Sequence, residues 1–347
     1  MENPLVSIII PVYKVEKYIG RCLNSVMRQV CQGFSIECII VDDCSPDDSM
    51  LIVQRFIENY SGNIVFKTLR HEENLGLSAA RNTGLKQATG EFLFFIDSDD
   101  YITEDCLQKL TDVVKGHPEV QVVKGNHEGR GKMLTERIPR GILGKDALLE
   151  LLYMDVIPVM AWNTLIKRSL VEQRDMSFKE GLVFEDNLWS VQLFRYTDSF
   201  VLAPDVTYHY DFNPDSIMGN HEDVCQVRYL PHIVCVAEEL MNSFDYRHFV
   251  SYTCFVESLL MRIIDCIAKD GHVDEETCKD VRQLRNRLLK LTLKHGRLIL
   301  IAYESLLYSP IRKLMRYRWF RKNYNRIEIA TYKTAKAFDW IHFFDVE

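Results

Sequence analysis

The chain has 347 residues, of which 47% are hydrophobic and 26% charged, and its formal net charge is −7. This composition is typical of a globular protein with a large core, built as one large domain or as a catalytic domain with an appendage. No run approaches the about 18 apolar residues that cross a bilayer, which excludes an integral membrane protein. The ten cysteines form no Cys-x-x-Cys pair and residues 1–4 begin no signal peptide, so we expect a cytoplasmic protein.

Charge is unevenly distributed along the chain. From Arg282 to the end, 15 Lys and Arg residues face 5 Asp and Glu residues, so this segment carries +10 and residues 1–281 carry −17. An acidic body of this kind opposes nucleic acid and does not attract a nucleotide diphosphate by its overall charge. Binding such an anion requires a bound cation or individually placed arginines.

The first 115 residues alternate short apolar strands with segments of helical period. Strands are predicted at Val6–Val12, Ile36–Val41, Ile64–Leu69 and Phe92–Ile96. Helices are predicted over Val15–Gln29, from Asp47 onward, over Ser78–Ala88 and over Glu104–Lys115. Continuously apolar strands between amphipathic helices predict an α/β fold with a mostly parallel sheet covered on both faces. Ligands of such sheets bind outside the carboxyl ends of the strands.

The pattern weakens from about Lys124 to Gly144 and then becomes mainly helical. The further elements predicted are helices Lys145–Met154 and Glu185–Tyr196, a β-rich piece Phe200–Phe212, and long helices Val224–Asn242, Phe249–Lys269 and Glu275–Lys294. A boundary near residue 220 divides a domain 1–220 from a helical region 221–347. The basic, aromatic tail Ile311–Tyr324 either lies on an anionic membrane surface or packs on the acidic body.

Acidic residues follow the fourth predicted strand directly, in Asp97-Ser98-Asp99-Asp100. Carboxylates at i and i+2 can share one hard divalent cation, Mg²⁺ or Mn²⁺, through oxygen ligands. The alternative is a solvated loop whose acids cap the next helix. An acidic knot at the end of a buried strand costs desolvation energy unless something pairs with it, which favours the cation.

Two other strand ends carry candidate binding groups. Asp42-Asp43 ends the second strand, where a carboxylate can accept a hydrogen bond from a uracil ring N–H, or can belong to an ordinary turn. Tyr13 follows the first strand, where its ring can stack on a base or pack against the protein. Glu16 stands within reach of a ribose at the start of the next helix.

An arginine and an acidic pair complete the candidates. Arg81 lies about one turn into a helix, where it can bind a phosphate, pin the acidic loops or lie on the surface. Glu185-Asp186 begins a predicted helix, and one of its carboxylates is a candidate general base if it faces the Asp97–Asp99 loop. A helix N-terminus would favour the ionised form, and simple helix-end charge is the alternative role.

Taken together, these segments resemble the family 2 glycosyltransferases of the GT-A fold over roughly residues 4–220. The matching stretches read SIIIPVYKVEKYIGRCLNSVMRQ, IIVDDCSPDDS, NLGLSAARNTGLKQATGEFLFFIDSDD, WNTLIKRS and FKEGLVFEDNLW. The resemblance implies a GT-A-type, Rossmann-like, mostly parallel sheet flanked by helices, followed by a mainly α-helical C-terminal region.

The resemblance also implies roles for individual residues. It implies donor-nucleotide binding at Pro11, Tyr13, Glu16, Asp42, Asp43, Arg81, Asp97 and Ser98. It implies that Asp99, with Asp97, binds Mn²⁺ or Mg²⁺. It implies that Asp186 is the general base with Glu185 beside it. It implies acceptor or diphosphate contacts at Trp162, Asn163, His209 and Ser216.

The implied activity is inverting transfer of a sugar from a nucleotide diphosphate sugar, such as a UDP-hexose or UDP-N-acetylhexosamine, to a hydroxyl of a glycan or lipid-linked glycan. A peripheral contact with the inner face of the membrane and a homo-oligomer are further expectations for the C-terminal region. One rival is a sugar-1-phosphate nucleotidyltransferase, which needs a Gly-rich loop that PVYKVEKY lacks. The other is a catalytically silent nucleotide-sugar-binding or scaffold protein.

Overall fold

The fold is built around one eight-stranded sheet, described here from a computed structural model. The described residues are 3–129, 138–211, 213, 216, 229–248, 251–253, 255–256, 259 and 275–294. The strands are β1 Leu5–Val12, β2 Ser35–Asp42, β3 Val65–Arg70, β4 Phe92–Phe95, β5 Tyr101–Ile102, β6 Val122–Gly129, β7 Thr164–Lys167 and β8 Phe200–Tyr210. Their order across the sheet is β3-β2-β1-β4-β7-β6-β8-β5.

Nine helices are described in this part of the chain. They are α1 Ile19–Met27, α2 Ser49–Glu58, α3 Leu77–Gln87, α4 Cys106–Gly116, α5 Lys145–Tyr153, α6 Arg168–Gln173, α7 Glu185–Tyr196, α8 Leu230–Asn242 and α9 Glu275–Lys294. Met1–Leu284 forms one compact unit, which contains the sheet, and Arg285–Glu347 forms a second. No helix among the described residues is both long enough and apolar enough to span a membrane.

The first four predicted strands form the parallel half of the sheet. β1 pairs in parallel with β2 and β4, and β2 pairs in parallel with β3. Residues Val6–Val12 of β1 and Ile36–Asp42 of β2 are buried without alternation, because helices cover both faces of this half. The parallel sheet flanked by helices that the sequence predicts is therefore confirmed here, with strand ends shifted by one residue.

The second half makes the whole sheet mixed. β7 runs antiparallel to both β4 and β6, and β5 runs antiparallel to β8, while β6 and β8 are parallel. The sequence prediction of a mostly parallel sheet therefore needs correction for this half. β6 falls partly in the segment where the sequence pattern weakens, because this strand includes the polar residues Lys124, Asn126 and His127.

The described residues after position 229 are mainly helical, in agreement with the sequence prediction. α9 has the predicted bounds, and α8 begins six residues later than the prediction. The boundary at residue 220, most of the predicted helix Phe249–Lys269 and the basic tail Ile311–Tyr324 lie outside the described residues. The two-domain division therefore stays a prediction.

Candidate functional site

The carboxyl ends of three neighbouring parallel strands meet at one edge of the sheet. Val12 is the register partner of Asp42, and the Asp43 N–H donates to the Val12 carbonyl at 2.9 Å. On the other side of β1, the Ile96 N–H donates to the Ile9 carbonyl at 3.1 Å. The loops that begin at Tyr13, Asp43 and Asp97 therefore leave the sheet side by side, as the strand pattern predicts.

Arg81 joins three carboxylates that are far apart in the sequence. Its Nη1 lies 2.6 Å from Glu185 Oε1 and 2.9 Å from Asp186 Oδ1, and its Nη2 lies 2.8 Å from Asp97 Oδ1. The guanidinium is completely buried, whereas the side chains of Asp97 and Asp186 keep 25% and 23% of their surface exposed. The open sides of these two carboxylates are therefore accessible from solvent. Of the roles that the sequence left open for Arg81, pinning the acidic loops is the one observed.

Burial shifts the proton affinity of this group. Burial and then the neighbouring Asp186 raise the pKa of Glu185 to about 7, against the opposing effect of Arg81. Burial also raises the pKa of Asp186, although Arg81 favours its ionised form. The sequence led us to expect that the N-terminus of α7 would favour the charged forms. Loss of hydration outweighs that effect in the structure, and both carboxylates become stronger bases.

Backbone strain accompanies several of these loops. Lys14, Cys44, Asn163 and Phe184 all adopt positive φ angles, between 53° and 68°. Each follows or precedes a candidate residue; Phe184, for example, directly precedes Glu185 and begins α7 in the left-handed region. Non-glycine residues in this region cost about 1 kcal/mol or more and persist where the surroundings impose them, often at functional sites. Four of the six described non-glycine residues with positive φ thus lie at or beside candidate residues, and the other two are Asp155 and Asp175.

The Asp97–Asp100 loop is held from the far side by β8 and the segment after it. The Tyr208 hydroxyl donates to Asp100 Oδ2 at 2.7 Å, and the Asn213 amide donates to Asp99 Oδ2 at 2.9 Å. Burial, followed by the charges of Asp99 and Asp97, raises the pKa of Asp100 to about 9. Asp100 therefore serves to anchor the loop, whereas Asp97 and Asp99 remain for other ligands.

The donor set of this loop fits a divalent cation. Burial, followed by the negative charge of Asp97, raises the pKa of Asp99. The charges of these two carboxylates are therefore not fully neutralised by their neighbours. Within the described part of the chain, no group of three or more His, Cys, Asp or Glu residues is arranged as a metal site. Mg²⁺ and similar ions are commonly held by one or two carboxylates together with substrate phosphates. Asp99 and Asp97 meet that requirement only in combination with a phosphate-bearing ligand.

The loop after β1 is fixed by the start of α2. The Lys14 N–H donates to Ser45 Oγ at 2.8 Å, and the Glu16 N–H donates to Asp47 Oδ2 at 3.1 Å. Tyr13 is left 40% exposed, so its ring is available to stack on a planar ligand. Pro11 is buried within β1, opposite Val41. A donor-nucleotide role for these residues stays a prediction.

The two acids at the end of β2 differ in their partners. Asp43 accepts hydrogen bonds from the backbone N–H groups of Leu75 and Gly76, at 2.9 and 2.7 Å, and lies 2.7 Å from His71 Nδ1. Asp42 accepts from the Ser45 N–H at 2.7 Å through Oδ1. Asp43 thus ties the β2 loop to the start of α3. Both acids are buried, and a role in binding a base stays a prediction for either of them.

Trp162 and Asn163 pack inside the protein. Trp162 stacks on Tyr208 with ring centroids 4.3 Å apart, and it is 3% exposed. The Asn163 amide donates to the Asn126 carbonyl at 2.9 Å, and its side-chain oxygen accepts from the Thr207 hydroxyl at 2.9 Å. Both residues therefore make internal packing and hydrogen-bond contacts that support the surrounding structure. Direct acceptor contact by either residue stays a prediction.

His209 and Ser216 are linked to the Asp97–Asp100 loop through neighbouring residues, Tyr101 and Asn213. His209 stacks on Tyr101 at 4.4 Å, and its Nδ1 lies 2.7 Å from Glu128 Oε1. Ser216 donates through its hydroxyl to the Asn213 carbonyl at 2.8 Å, next to the amide that binds Asp99. Ser98, in the loop itself, is buried. Diphosphate contacts by these residues remain untested.

The sequence reasoning missed three residues that support the site. Tyr208 holds Asp100, and Arg21 donates from Nη2 to the Asp99 carbonyl at 2.9 Å while pairing with Asp211. Lys124 is completely buried beneath the segment that contains Trp162. A lysine in a weakly patterned segment looks like a surface residue, so only the tertiary contacts identify it.

Comparison with known proteins agrees with the resemblance seen in the sequence. The family model described as Glycosyl transferase family 2 matches residues 7–174. Residues 7–174 are therefore similar to this family. It is 32% identical over 223 residues to EpsJ, an uncharacterized glycosyltransferase of Bacillus subtilis, which covers 62% of this chain and 63% of EpsJ. It is also 32% identical over 211 residues to TarS of Staphylococcus aureus, a poly(ribitol-phosphate) β-N-acetylglucosaminyltransferase.

The sequence match to TarS covers 59% of this chain but only 35% of TarS. The chain therefore spans less than two thirds of the length of both EpsJ and TarS. Among solved structures, TarS in complex with UDP-GlcNAc has a TM-score of 0.61 at 23% identity, covering 82% of this chain and 80% of the other. A mannosyltransferase of Pyrobaculum calidifontis with GDP-Man and Mn²⁺ has a TM-score of 0.57 at 16% identity, with coverages of 97% and 88%. These similarities establish the GT-A fold.

Proposed function

We propose that the protein is an inverting glycosyltransferase that moves a sugar from a UDP-sugar to a hydroxyl of a glycan or lipid-linked glycan. Residues 1–220 form the catalytic domain in this proposal, and residues 221–347 contribute to the choice of acceptor. The donor is a UDP-hexose or UDP-N-acetylhexosamine, and a divalent cation accompanies it. The similarity of residues 7–174 to glycosyltransferase family 2 supports the reaction class.

The observation that carries the proposal is the meeting of Asp97, Glu185 and Asp186 on one guanidinium. Asp97 belongs to the loop that fits a cation and a diphosphate, and Asp186 has an accessible carboxylate with a raised pKa. Their separation is set by a single buried arginine, Arg81. The loop proposed to hold the leaving diphosphate and the proposed base therefore lie side by side, as displacement at a sugar carbon requires.

The residues of the chain divide the chemistry between them. Asp186 accepts the proton of the acceptor hydroxyl as that oxygen attacks the anomeric carbon of the donor. Arg81 keeps the Asp186 carboxylate fixed in orientation while also holding Asp97. Asp99 and Asp97 would hold a divalent cation, which would neutralise charge on the departing diphosphate. Inversion follows because one attack occurs and no covalent enzyme intermediate is formed.

The relatives support the class of donor. TarS carries a β-N-acetylglucosaminyltransferase name, and it has been solved with UDP-GlcNAc and with UDP. TarP of Staphylococcus aureus carries the same enzyme name and is 27% identical to this chain over 223 residues. On this basis, a UDP-sugar is the donor to test first. The acceptor in the proposal is a hydroxyl-bearing polymer or lipid-linked glycan.

The test is release of UDP from a panel of UDP-sugars, measured with glycan acceptors and with or without Mn²⁺. The proposal expects cation-dependent release with at least one sugar, an increase when the correct acceptor is present, and an anomeric configuration opposite to that of the donor. Tight UDP binding without transfer or hydrolysis would instead favour the silent nucleotide-sugar-binding protein. A product with retained configuration would overturn the inverting mechanism.

A further inference from the structure

A lysine with no exposed surface is connected, through one peptide group, to the carboxylate proposed as the general base. Lys124 lies in β6 and is 0% exposed. Its Nζ donates to the Met160 carbonyl at 3.1 Å, to the Trp162 carbonyl at 3.4 Å and to Thr164 Oγ1 at 3.1 Å. Among the described residues no carboxylate lies within ion-pair distance of it. An amino group buried in this way requires a reason beyond surface charge.

The three partners match the ammonium form. The Thr164 hydroxyl itself donates to the Trp162 carbonyl at 3.2 Å, so toward Lys124 it acts as an acceptor. Three acceptors thus face the three N–H donors of a charged lysine. Burial nevertheless lowers the pKa of Lys124 to about 7, and the negative charge of Asp186 opposes that shift. The charge that opposes the shift is therefore that of the carboxylate proposed as the base.

One peptide group connects Lys124 to Asp186. The Met160 carbonyl, held by Lys124, belongs to the same peptide unit as the Ala161 N–H. The backbone of Ala161 lowers the pKa of Asp186 and so favours its ionised form. A peptide unit is planar, and in its trans form the carbonyl and the N–H point in opposite directions. Fixing the oxygen end therefore fixes the direction of the N–H at the other end.

We propose that Lys124 is a positioning residue for sugar transfer, which acts by holding the Met160–Ala161 peptide so that its N–H orients the Asp186 carboxylate. The inference rests on the proposed function, because it takes Asp186 as the base. Arg81 holds Asp186 at 2.9 Å, and in the proposal the Ala161 peptide orients the same carboxylate from a second side. Lys124 also polarises that peptide, which strengthens its N–H as a donor.

The test compares Lys124→Met with a matched variant, Thr164→Val. Lys124→Met keeps the length of the side chain and removes the amino group. The Trp162 carbonyl keeps its hydrogen bond from Thr164, so the loss falls mainly on the Met160 carbonyl. Thr164→Val removes another partner of the same lysine but leaves the contact with Met160 in place. A further variant, Val123→Ala, makes a cavity in the same strand and controls for lost stability.

Two measurements are made on the full chain. In UDP-release assays, Lys124→Met is expected to lower kcat by about 10- to 100-fold with the donor KM within about threefold, because a misplaced reacting group costs rate more than donor binding. Thr164→Val and Val123→Ala are expected to keep kcat within about threefold. Hydrogen exchange followed by mass spectrometry is expected to show faster exchange over residues 160–164 in Lys124→Met only.

The outcomes separate this inference from the proposed function. If the wild-type chain turns over and Lys124→Met keeps its kcat, or loses it only to the extent that Val123→Ala does, the positioning role is refuted while the transferase stands. If the wild-type chain shows no turnover, the proposed function fails, and the exchange data decide the rest. Unchanged exchange over residues 160–164 would then overturn the idea that Lys124 fixes this peptide.

Discussion

Arg81 Nη1 lies 2.9 Å from Asp186 Oδ1, although 105 residues of sequence separate the two. The same guanidinium reaches Asp97 at 2.8 Å, so the start of α7 is locked to the end of β4. The proposed base and the proposed cation loop are therefore parts of one ion-pair group. A change at any member of the group alters the charge felt by the others.

Replacing Asp186 by Asn tests the base. We expect transfer to fall by about 100- to 10,000-fold, because the amide cannot accept the proton of the acceptor hydroxyl. UDP affinity, measured by calorimetry, should stay within a few-fold because Asp186 contacts neither the base nor the ribose in the proposal. The exposed Asp198→Asn serves as the control and should behave like the wild type. A collapse of UDP affinity would make Asp186 a donor or cation ligand instead.

Replacing Asp99 by Ala tests the cation site. We expect UDP binding to lose its dependence on Mn²⁺, since the remaining carboxylate Asp97 is already paired with Arg81. The measurement is a UDP titration with Mn²⁺ and with a chelator. Asp105, a partly exposed acid paired with Lys109 just beyond the loop, provides the control as Asp105→Asn. Mn²⁺ dependence that survives in Asp99→Ala would contradict the assignment.

Replacing Arg81 by Met tests the ion-pair group as a structural unit. Glu185, Asp186 and Asp97 would lose their common partner. Removing one member of a buried ionic group lowers the free energy of unfolding by about 3–5 kcal/mol. The free energy of unfolding from denaturant titration is the measurement. The control is Arg28→Met, whose exposed pair with Glu104 at 3.6 Å should matter little. An unchanged midpoint in Arg81→Met would show that the carboxylates do not depend on it.

Replacing Glu37 by Gln tests an ion pair at the opposite end of the sheet. Burial tends to raise the pKa of Glu37, but hydrogen bonds from Lys67, Ser7 and Thr89 lower it to about 2. A carboxyl whose pKa falls on folding from 4.5 to about 2 stabilises the fold above pH about 4.5, and this stabilisation is lost as the pH falls toward 2.

We therefore expect Glu37→Gln to destabilise the fold by about 2 kcal/mol at pH 7 and to reduce the loss of stability between pH 5 and pH 3. Urea titrations at several pH values measure this. If the wild type and Glu37→Gln showed parallel stability curves over that range, Glu37 would not be the titrating group. Glu58→Gln is the control, because it changes an acid on α2 that makes only an exposed hydrogen bond with Gln54.

The parallel half of the fold could be predicted because each of its strands is an uninterrupted apolar run. VSIIIPV and FLFFI are buried on both faces, and that burial is what the run encodes. β6 could not be predicted in this way. Its Lys124 is buried only because carbonyls 36 and 38 residues away, at Met160 and Trp162, accept its N–H groups. Such compensation depends on tertiary contacts that local sequence does not contain.

The candidate site was predictable to a similar degree. Asp97 and Arg81 were found from the strand-end and turn patterns, and the structure brings them together. For Glu185 and Asp186 the sequence pattern left simple helix-end charge as an alternative to the general base, because only the fold shows that α7 begins beside Arg81. The contact of Tyr208 with Asp100 was out of reach, since nothing in β8 marks one tyrosine among several as a hydrogen-bond donor.

The three carboxylates gathered around the buried guanidinium also restrict how this protein can diverge. An acid lost at position 97, 185 or 186 leaves the buried guanidinium with one partner fewer, and a lost arginine leaves three carboxylates without their common positive partner, so single steps in either direction are penalised. Descendants of this gene should therefore keep all four side chains or shed them as a set. A paralogue with Arg81 replaced by an apolar residue and all three acids retained would be a poor candidate for a stable fold.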